Sequence, residues 1–487
     1  MSSKISRLCE AIIEAGWLAA LIIVPVFFNV YSSRVFEPDK ISLLRSIALV
    51  MIGAWLIKLI DGGGAAAPLP ASATQTPRGN LWRQIRETPL IIPALLLVSA
   101  YLISTALSVA PRISFWGSYQ RMQGTYSTFS YIVIFFLTLT HLRSRVQLNR
   151  LLHAIVIASL PVALYGILQH YSLDPLPWGG DVKLRVAGNM GNAIFIAAYL
   201  IIAFFVTLER FLRSAGRLLA EQGGEIADAL LVGSYVFVLV VQSVAIIFSQ
   251  SRGPWLGWFA GIYIFVLLGL IALRSRATRR GAGFFHWAWL GWIGLAVAGV
   301  AFLISFNLPN SPLAALRSVP YVGRLGQIFE TEEGTGKVRV LIWEGASQMI
   351  LPHAAVTYPD GTPDPLNALR PIFGYGPEAM WVAYNPFYPP DLAHYEARNA
   401  SPDRSHNETF DTLVITGLLG LVAWQALHLS VILFAFRYLG VVHSRRDAAM
   451  FVGLWVGGAV LAAGIRTSAA FPILSANIHG AAALVLQ

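Results

Sequence analysis

The sequence predicts an all-α polytopic membrane protein with about 12 transmembrane helices. Apolar and aromatic residues make up 56% of its 487 residues, whereas charged residues make up 12%. A soluble domain is about 25% charged. The apolar residues recur in runs of about 20, the length that a helix needs to cross a bilayer. A chain of soluble domains is therefore excluded, and the single cysteine, Cys9, excludes a disulfide scaffold and a cysteine-rich metal site.

The apolar runs divide the chain into three parts. Residues 1–306 hold spans one to nine, residues 307–408 form a long loop, and residues 409–487 hold spans ten to twelve. The first run is a span rather than a cleavable signal peptide, because it has no small-residue cleavage site. Glycine, alanine and proline dominate residues 62–80, which predicts an inner linker. The twelve spans are predicted at residues 11–31, 41–60, 89–109, 124–140, 151–171, 190–208, 229–248, 254–273, 286–306, 410–436, 449–465 and 468–486.

Lysine and arginine predict the orientation of these spans. With the N-terminus inside, the inner segments hold 19 of the 35 basic residues. Seven of the others lie in the long loop, which can cross a membrane regardless of its charge, so the short segments divide 19 to nine. Both termini are therefore predicted in the cytoplasm and the long loop on the other face. The net charge of +10 follows from this bias and gives no reason to expect a nucleic-acid partner.

The long loop has the composition of a folded segment. It holds 13 of the 26 prolines, and loops of this length are usually functional or disordered. Its aromatic residues predict a small packed lid. Apolar residues at helical spacing also predict an amphipathic helix on the outer leaflet or on the bundle, ended by Pro352. The apolar face of this helix comprises Val338, Leu341, Ile342, Ala346, Met349 and Ile350. The aromatic residues are Trp343, Tyr358, Phe373, Tyr375, Trp381, Tyr384, Phe387, Tyr388 and Tyr395.

Two polar motifs precede spans that run inwards. The first, KLRVAGNMGN, contains Arg185 and Asn192 and precedes span six; the second, SQSRGPWLG, contains Arg252 and Pro254 and opens span eight. The N-terminal ends of such helices attract anions, and arginine binds phosphate in a bidentate manner. These motifs therefore predict a phosphate site at the outer surface, although Arg252 taken alone favours a headgroup anchor.

A third polar motif, DRSHNETFD, opens span ten. The spacing of Ser405 and Glu408 predicts a capping box, with His406 in the first helical turn. A metal site formed by Asp403, His406 and Glu408 is an alternative, but their spacing matches no recognised ligand pattern. A plain polar first turn is the other alternative for His406.

Two features of the long loop also have structural explanations. Arg339 lies four residues before Trp343, which permits a surface cation–π pair. Asp360 and Asp364 in PDGTPD offer carboxylates to a cation, yet the proline and glycine beside them favour an ordinary turn.

The motifs, taken in order, resemble a known family. The order is RVAGNMGNAIFIAAYL, SQSRGPWLGW, VRVLIWEGA and PIFGYGPEAM in the long loop, and RSHNETFDTLVITGLLG. This set is similar to that of the O-antigen ligase and O-antigen polymerase superfamily. The resemblance implies a helical bundle with a loop-built lid in the bacterial cytoplasmic (inner) membrane. It also implies transfer of a glycan from a polyprenyl-diphosphate carrier, typically undecaprenyl, on the periplasmic or extracellular face.

The resemblance assigns candidate site residues by their places in the motifs. Arg252, Arg339 and His406 correspond to the family's catalytic arginines and histidine. Arg185 and Arg121, the latter in WGSYQRMQG, correspond to basic residues that contact substrate. Asn192 and Glu408 are further substrate-binding candidates, since they stand at the starts of spans six and ten.

The residues agree with this chemistry. The chain has no P-loop, so a bond made outside the cell needs a pre-activated donor, and a lipid diphosphate is one. Arginines can stabilise the departing diphosphate. A histidine at a helix N-terminus stays neutral, as a general base for the acceptor hydroxyl must. We therefore expect inverting transfer that needs no metal and no other cofactor.

Several alternatives stay open at this stage. The acceptor is lipid A core, a growing polysaccharide or a protein; the sugar and the oligomeric state are open as well. A transporter or flippase of a lipid-linked or soluble anion is the rival of another class, although neither an inverted repeat nor a pair of short broken helices is evident. A non-catalytic envelope scaffold is a third hypothesis. The abrupt end after an apolar run at Gln487 is compatible with a longer native chain.

Overall fold

The computed structural model describes residues 3–32, 35–62, 90–176, 178, 180–220, 226–276, 279–308, 310–328, 334–397 and 400–470. Within these ranges the regular structure is helical, apart from one β-bridge between Thr357 and Pro363. The α-helices longer than four residues are α1 (Lys4–Val26), α2 (Glu37–Asp61), α3 (Ile91–Ala106), α4 (Pro111–Trp116), α5 (Thr125–His141), α6 (Arg145–His170), α7 (Ala193–Leu218), α8 (Ile226–Phe248), α9 (Arg252–Arg276), α10 (Arg279–Asn307), α11 (Gly334–Ile350), α12 (Glu408–Tyr438) and α13 (Arg445–Ala470).

The prediction of an all-helical, polytopic membrane protein is confirmed. Eight helices of the described ranges are long and apolar enough to cross a membrane, namely α1, α2, α6, α7, α8, α9, α10 and α12. Predicted spans three, four and eleven coincide with the helices α3, α5 and α13. The count of twelve stays a prediction, because most of span twelve at 468–486 lies outside the described residues, as does nearly all of the linker at 62–80.

The chain forms two compact units whose boundaries do not follow chain order. The first unit comprises residues 1–58 and 141–330, and the second comprises residues 59–140 and 331–487. The long loop at 307–408 therefore contributes its first part to one unit and its remainder to the other.

Small residues allow close packing of the central helices in the first unit. Ala158 and Ala163 of α6, Ala197 and Ala203 of α7, and Ala245 of α8 are completely buried. The helix α6 packs against α1, α7 and α8, and α7 packs along α8. Without a side chain beyond Cβ, alanine lets helix backbones approach, which is how membrane helices gain van der Waals contact.

A buried amide ties the same three helices together. The side-chain nitrogen of Gln242 on α8 donates hydrogen bonds to the Ser159 hydroxyl on α6, at 2.7 Å, and to the Thr207 hydroxyl on α7, at 3.0 Å. All three residues are buried. Such polar contacts hold membrane helices in register because an unsatisfied polar group in hydrocarbon is costly.

The second unit has its core beneath the long loop. The predicted amphipathic helix is confirmed as α11, which ends at Ile350 before Pro352. Its buried face packs against loop aromatics and against Val414 of α12. The core comprises Leu341, Ile342, Ala346, Met349, Tyr375, Met380, Ala383, Tyr384, Phe387, Leu392 and Val414. Tyr375, Tyr384 and Phe387 of the loop belong to this core, and the small packed lid stays a prediction.

The helix α12 is interrupted at Gly417. This residue has φ 66° and ψ −165°, a conformation that favours glycine. The break frees the carbonyl groups of Val414 and Ile415, which accept hydrogen bonds from the N–H groups of Tyr375, at 2.8 Å, and Gly376, at 3.0 Å. A loop segment thus satisfies helix backbone groups that lipid could not.

A buried ion pair fixes the loop segment that fills this break. Arg370 and Asp364 side chains are 2% and 0% exposed and pair in a bidentate manner, at 2.7 and 2.9 Å. The Arg370 guanidinium also donates to the carbonyl groups of Leu107 and Gly374. Asp364 is therefore a structural anchor, and Asp360 bonds to Thr362 within the turn, as the turn hypothesis predicted.

Candidate active site

A cavity in the second unit is lined by six charged side chains. Its volume is about 250 Å³. Charged residues line it from the loops and from the start of α12, whereas apolar and aromatic residues line it from α3, α5, α12 and the loop. The charged residues are Arg121, Glu378, Asp403, Arg404, Glu408 and Asp411. The apolar and aromatic residues are Leu97, Tyr101, Tyr131, Met380, Trp381, Ile415 and Trp424.

The start of α12 differs from the predicted capping box. Asn407 is the N-cap, and its side-chain oxygen accepts from the N–H groups of Thr409, at 3.0 Å, and Phe410, at 3.4 Å. Ser405 instead binds Asp411, with both its N–H and its hydroxyl 2.7 Å from the carboxylate. The prediction was wrong because Asn407, two residues after Ser405, caps the helix instead. Both residue types are good N-caps, and spacing alone does not show which one will accept from the free N–H groups.

His406 consequently precedes the helix rather than lying in its first turn. Its backbone is left-handed, with φ 55°, a region where histidine is several-fold enriched among residues other than glycine. The residue is exposed, and its neighbours Asp403, Arg404 and Glu408 all line the cavity. His406 therefore lies outside the helix, on a turn whose neighbouring residues line the cavity.

Neighbouring groups favour the neutral form of His406. Although the residue is exposed, the surrounding chain partly dehydrates the ring, and this effect, followed by the positive charge of Arg339, lowers the pKa of His406 below its ordinary value. Asp403 and Asp411 oppose the shift, and Arg121 adds to it. These interactions show that predicted residues from three chain segments, Arg121, Arg339 and His406, come together in the second unit.

The helix α11 reaches this region through Trp343. The indole N–H donates a 2.8 Å hydrogen bond to the Ser405 carbonyl, directly before His406. The Trp343 ring also stacks on Phe410, with centroids 6.1 Å apart. Arg339 lies one turn before Trp343 on the same helix and is exposed. One helix therefore contributes both the indole that holds the His406 turn and the Arg339 guanidinium that acts on His406.

A tight turn places Arg121 on the cavity wall. Glu378 accepts hydrogen bonds from the backbone N–H groups of Ser118 and Gln123, which brackets the turn from both sides. Gly117 at the start of this turn has φ 87°, and a Cβ there would lie 2.6 Å from the Met122 backbone. Arg121 itself forms an ion pair with Asp403.

The remaining charged groups of the cavity differ in whether they have hydrogen-bond partners among the described residues. Arg404 donates to the side-chain oxygen of Gln123. Asp411 is held by Ser405, as described above. None of the described residues donates a hydrogen bond to Glu408, whose side chain lines the cavity.

The first unit contains the other two predicted arginines on one turn. Arg252 opens α9, with Pro254 in the first helical turn as predicted, and its guanidinium donates to the backbone carbonyl of Gln327. Arg185 lies 3.4 Å from the Ser251 hydroxyl. Arg324 lies 3.4 Å from the Gln250 carbonyl. The turn at residues 250–252 therefore carries the Arg252 guanidinium and is approached by those of Arg185 and Arg324.

The asparagines of the KLRVAGNMGN motif have structural partners. Asn192 is the N-cap of α7, where its side-chain oxygen accepts from the Ile194 N–H at 2.9 Å. The Asn189 amide donates to the carbonyl groups of Pro25 and Val26, at 2.6 and 2.8 Å. A substrate-binding role for Asn192 stays a prediction, and helix capping already explains its presence.

The suggested metal site has no support in the described geometry. Asp403 is paired with Arg121. Within the ranges that the structure describes, no group of three His, Cys, Asp or Glu side chains is arranged to hold a metal ion. Metal-independent chemistry stays a prediction.

Sequence reasoning missed several residues of these two regions. They are Gln123, Glu378 and Arg404 around the cavity, and Arg324 and Gln327 beside Arg252. Glu378 and Arg404 stand inside the quoted motifs, so their charge was a usable signal. Gln123 stands inside the quoted motif WGSYQRMQG but is uncharged, and Arg324 and Gln327 stand outside every quoted motif. The positions of all three depend on long-range contacts.

No protein-family model, curated protein or solved structure significantly matches the chain. The resemblance to the O-antigen ligase and polymerase superfamily therefore depends on the ordered motifs themselves.

Proposed function

We propose that the protein is a membrane glycosyltransferase that moves a glycan from a polyprenyl-diphosphate carrier to an acceptor hydroxyl. One observation carries this proposal: Arg121, Arg339 and His406, which the superfamily resemblance singles out, interact electrostatically in the second unit, and Arg121 lines a cavity there. The cavity combines charged groups with apolar walls from the spans. Such a mixed lining suits a glycan at a membrane surface.

The proposed step is a direct displacement at the anomeric carbon. His406 accepts the proton of the acceptor hydroxyl while the new C–O bond forms. The bond from the anomeric carbon to the phosphate oxygen breaks, and the diphosphate leaves with the electron pair. Arg339 stabilises the charge that develops on it. A single displacement inverts the anomeric configuration.

The two arginines of the first unit have a proposed part in donor binding. Arg252 and Arg185 are suited to the diphosphate of the carrier because guanidinium binds phosphate oxygens in pairs. Arg324, whose guanidinium lies 3.4 Å from the Gln250 carbonyl, adds a third positive charge. We place the active face on the periplasmic or extracellular side of a bacterial cytoplasmic membrane. The acceptor is lipid A core, polysaccharide or protein.

The experiment is transfer by the purified protein in liposomes that contain a polyprenyl-diphosphate-linked glycan. We expect a glycosylated acceptor of inverted configuration, in undiminished yield when EDTA is present. Release of polyprenyl diphosphate should match product formation. Movement of the intact donor across the bilayer without transfer would instead support the flippase hypothesis. Loss of transfer in EDTA, with recovery on adding a divalent cation, would contradict the metal-free mechanism.

A further inference from the structure

The charges of the cavity disfavour an anionic ligand. Four carboxylates line it, from Glu378, Asp403, Glu408 and Asp411, against two guanidinium groups, from Arg121 and Arg404. A diphosphate placed among these groups would set anionic oxygens beside carboxylates, and like charges repel strongly where water is scarce. The donor diphosphate is therefore a poor occupant of this cavity.

Three of the four carboxylates already have hydrogen-bond or ion-pair partners within the protein. Glu378 accepts two backbone N–H groups, Asp403 is paired with Arg121, and Asp411 accepts from Ser405. Glu408 alone among the four receives no hydrogen bond from the described residues. Its carboxylate is exposed to the cavity as an acceptor for the hydroxyl group of a ligand.

Aromatic rings form the rest of the wall. Trp381 is 39% exposed, so its ring is only partly covered by the core, and Tyr131 also lines the cavity. Trp424 and Tyr101 line the same cavity. Aromatic ring faces next to a few hydrogen-bonding groups suit a sugar ring, which has C–H bonds on its faces and hydroxyl groups around its edge.

We propose that this cavity binds a neutral sugar ring of the acceptor, with a ring hydroxyl donating to Glu408 and the ring packed on Trp381. The identification of this ring with the acceptor depends on the proposed function. His406 lies between Arg404 and Glu408 in the chain, and both of these residues line the cavity. The proposal therefore predicts that an acceptor held there has its reactive hydroxyl near the base.

The test is saturation-transfer NMR on the full-length protein in nanodiscs, which avoids detergents with sugar headgroups. The probes are the methyl glycosides of glucose, galactose and N-acetylglucosamine, with inorganic pyrophosphate as competitor. At least one glycoside should receive saturation, and pyrophosphate should not displace it. Glu408→Gln should weaken its binding about tenfold, the worth of one hydrogen bond to a charged group. Trp381→Ala should weaken it as well.

Matched variants and a second readout keep the test decisive. Glu396→Gln and Tyr395→Ala change exposed residues of the same loop that do not line the cavity, and both should bind as the wild type does. Displacement of the glycoside by pyrophosphate, no saturation of any glycoside, or unchanged binding in both cavity variants would each overturn the proposal. Transfer is measured on the same samples. Sugar binding that depends on Glu408 without any transfer would refute the proposed enzyme and leave the sugar site standing.

Discussion

His406 depends on a backbone turn as much as on its side chain. Its left-handed conformation lies between Ser405, held by Trp343 and Asp411, and Asn407, the cap of α12. Any test of the imidazole must therefore preserve this turn. Asparagine does so best, because it tolerates φ near 55° and cannot act as a base at neutral pH.

We expect His406→Asn and His406→Gln to lose transfer by about 10²- to 10⁴-fold, the usual loss on removing a general base. Tm and donor binding should change little in His406→Asn, since the residue is exposed. Rates of donor-glycan transfer and thermal melting of the purified variants check this. Transfer at the wild-type rate in either variant would refute the base assignment and make Glu408 or Asp411 the next candidate.

The lowered pKa of His406 predicts the shape of the pH profile. Because only the neutral imidazole accepts a proton, transfer should be constant at neutral pH and fall on acidification through the lowered pKa. Arg339→Gln removes a positive charge that lowers this pKa, so the acidic limb should move to higher pH. Rate measurements across pH in both proteins check this, and an acidic limb that moves to lower pH in the variant would contradict it.

Arg252 provides a test of donor binding in the first unit. Lysine keeps the positive charge but loses the paired N–H groups, so Arg252→Lys should reduce kcat/KM for the donor about tenfold or more. Arg317→Lys is the matched control, because Arg317 also donates to backbone carbonyls in this unit but stands outside the predicted motifs. If both variants transfer as the wild type does, Arg252 is a structural anchor.

At the scale of elements, hydropathy located the helices and missed what interrupts one of them. Predicted span ten and α12 overlap almost entirely, because a mostly apolar run extends from Leu413 to Phe436. Gly417 looks ordinary in such a run. Its break depends on a partner segment at Gly374–Gly376, about 40 residues earlier, whose N–H groups take the place of the helical ones. The sequence around Gly417 does not indicate that the segment at 374–376 will bind there.

Gly417→Ala should destabilise the second unit. A left-handed backbone costs a residue with a Cβ about 1–2 kcal/mol, and the new Cβ would lie 2.3 Å from the Ile372 carbonyl. We expect a lower Tm and weaker expression. Gly299→Ala on α10 is the control, since a Cβ there meets no described atom within 4 Å. Equal melting of the two variants would contradict the importance of the break.

At the scale of the whole chain, sequence predicted composition-driven features and missed long-range ones. The apolar runs gave the helices, and the charged motifs gave His406, Arg339 and Arg121. The contact of Glu378 with the turn around Ser118 joins residues 260 positions apart, which no local pattern encodes. The division into two units was missed for the same reason.

The orientation is testable at the turn around Gly361. This exposed residue has φ 83° at the tip of a turn, where insertions are tolerated. A phosphatase reporter, which is active only outside the cytoplasm, should be active at Gly361 and inactive at Gly440, between α12 and α13. The reverse pattern would refute the inside location of both termini.

The break at Gly417 also links the site to bilayer thickness. Residues 418–438 extend about 30 Å as a helix, which equals the hydrocarbon core of a typical bilayer. The short segment that carries Glu408 and Asp411 lies beyond that length, turned by the break. Hydrophobic matching of the longer half therefore sets the height of these groups above the acyl chains. Liposomes of longer acyl chains should lower the transfer rate at unchanged Tm, whereas equal rates across chain lengths would show that other helices set this height.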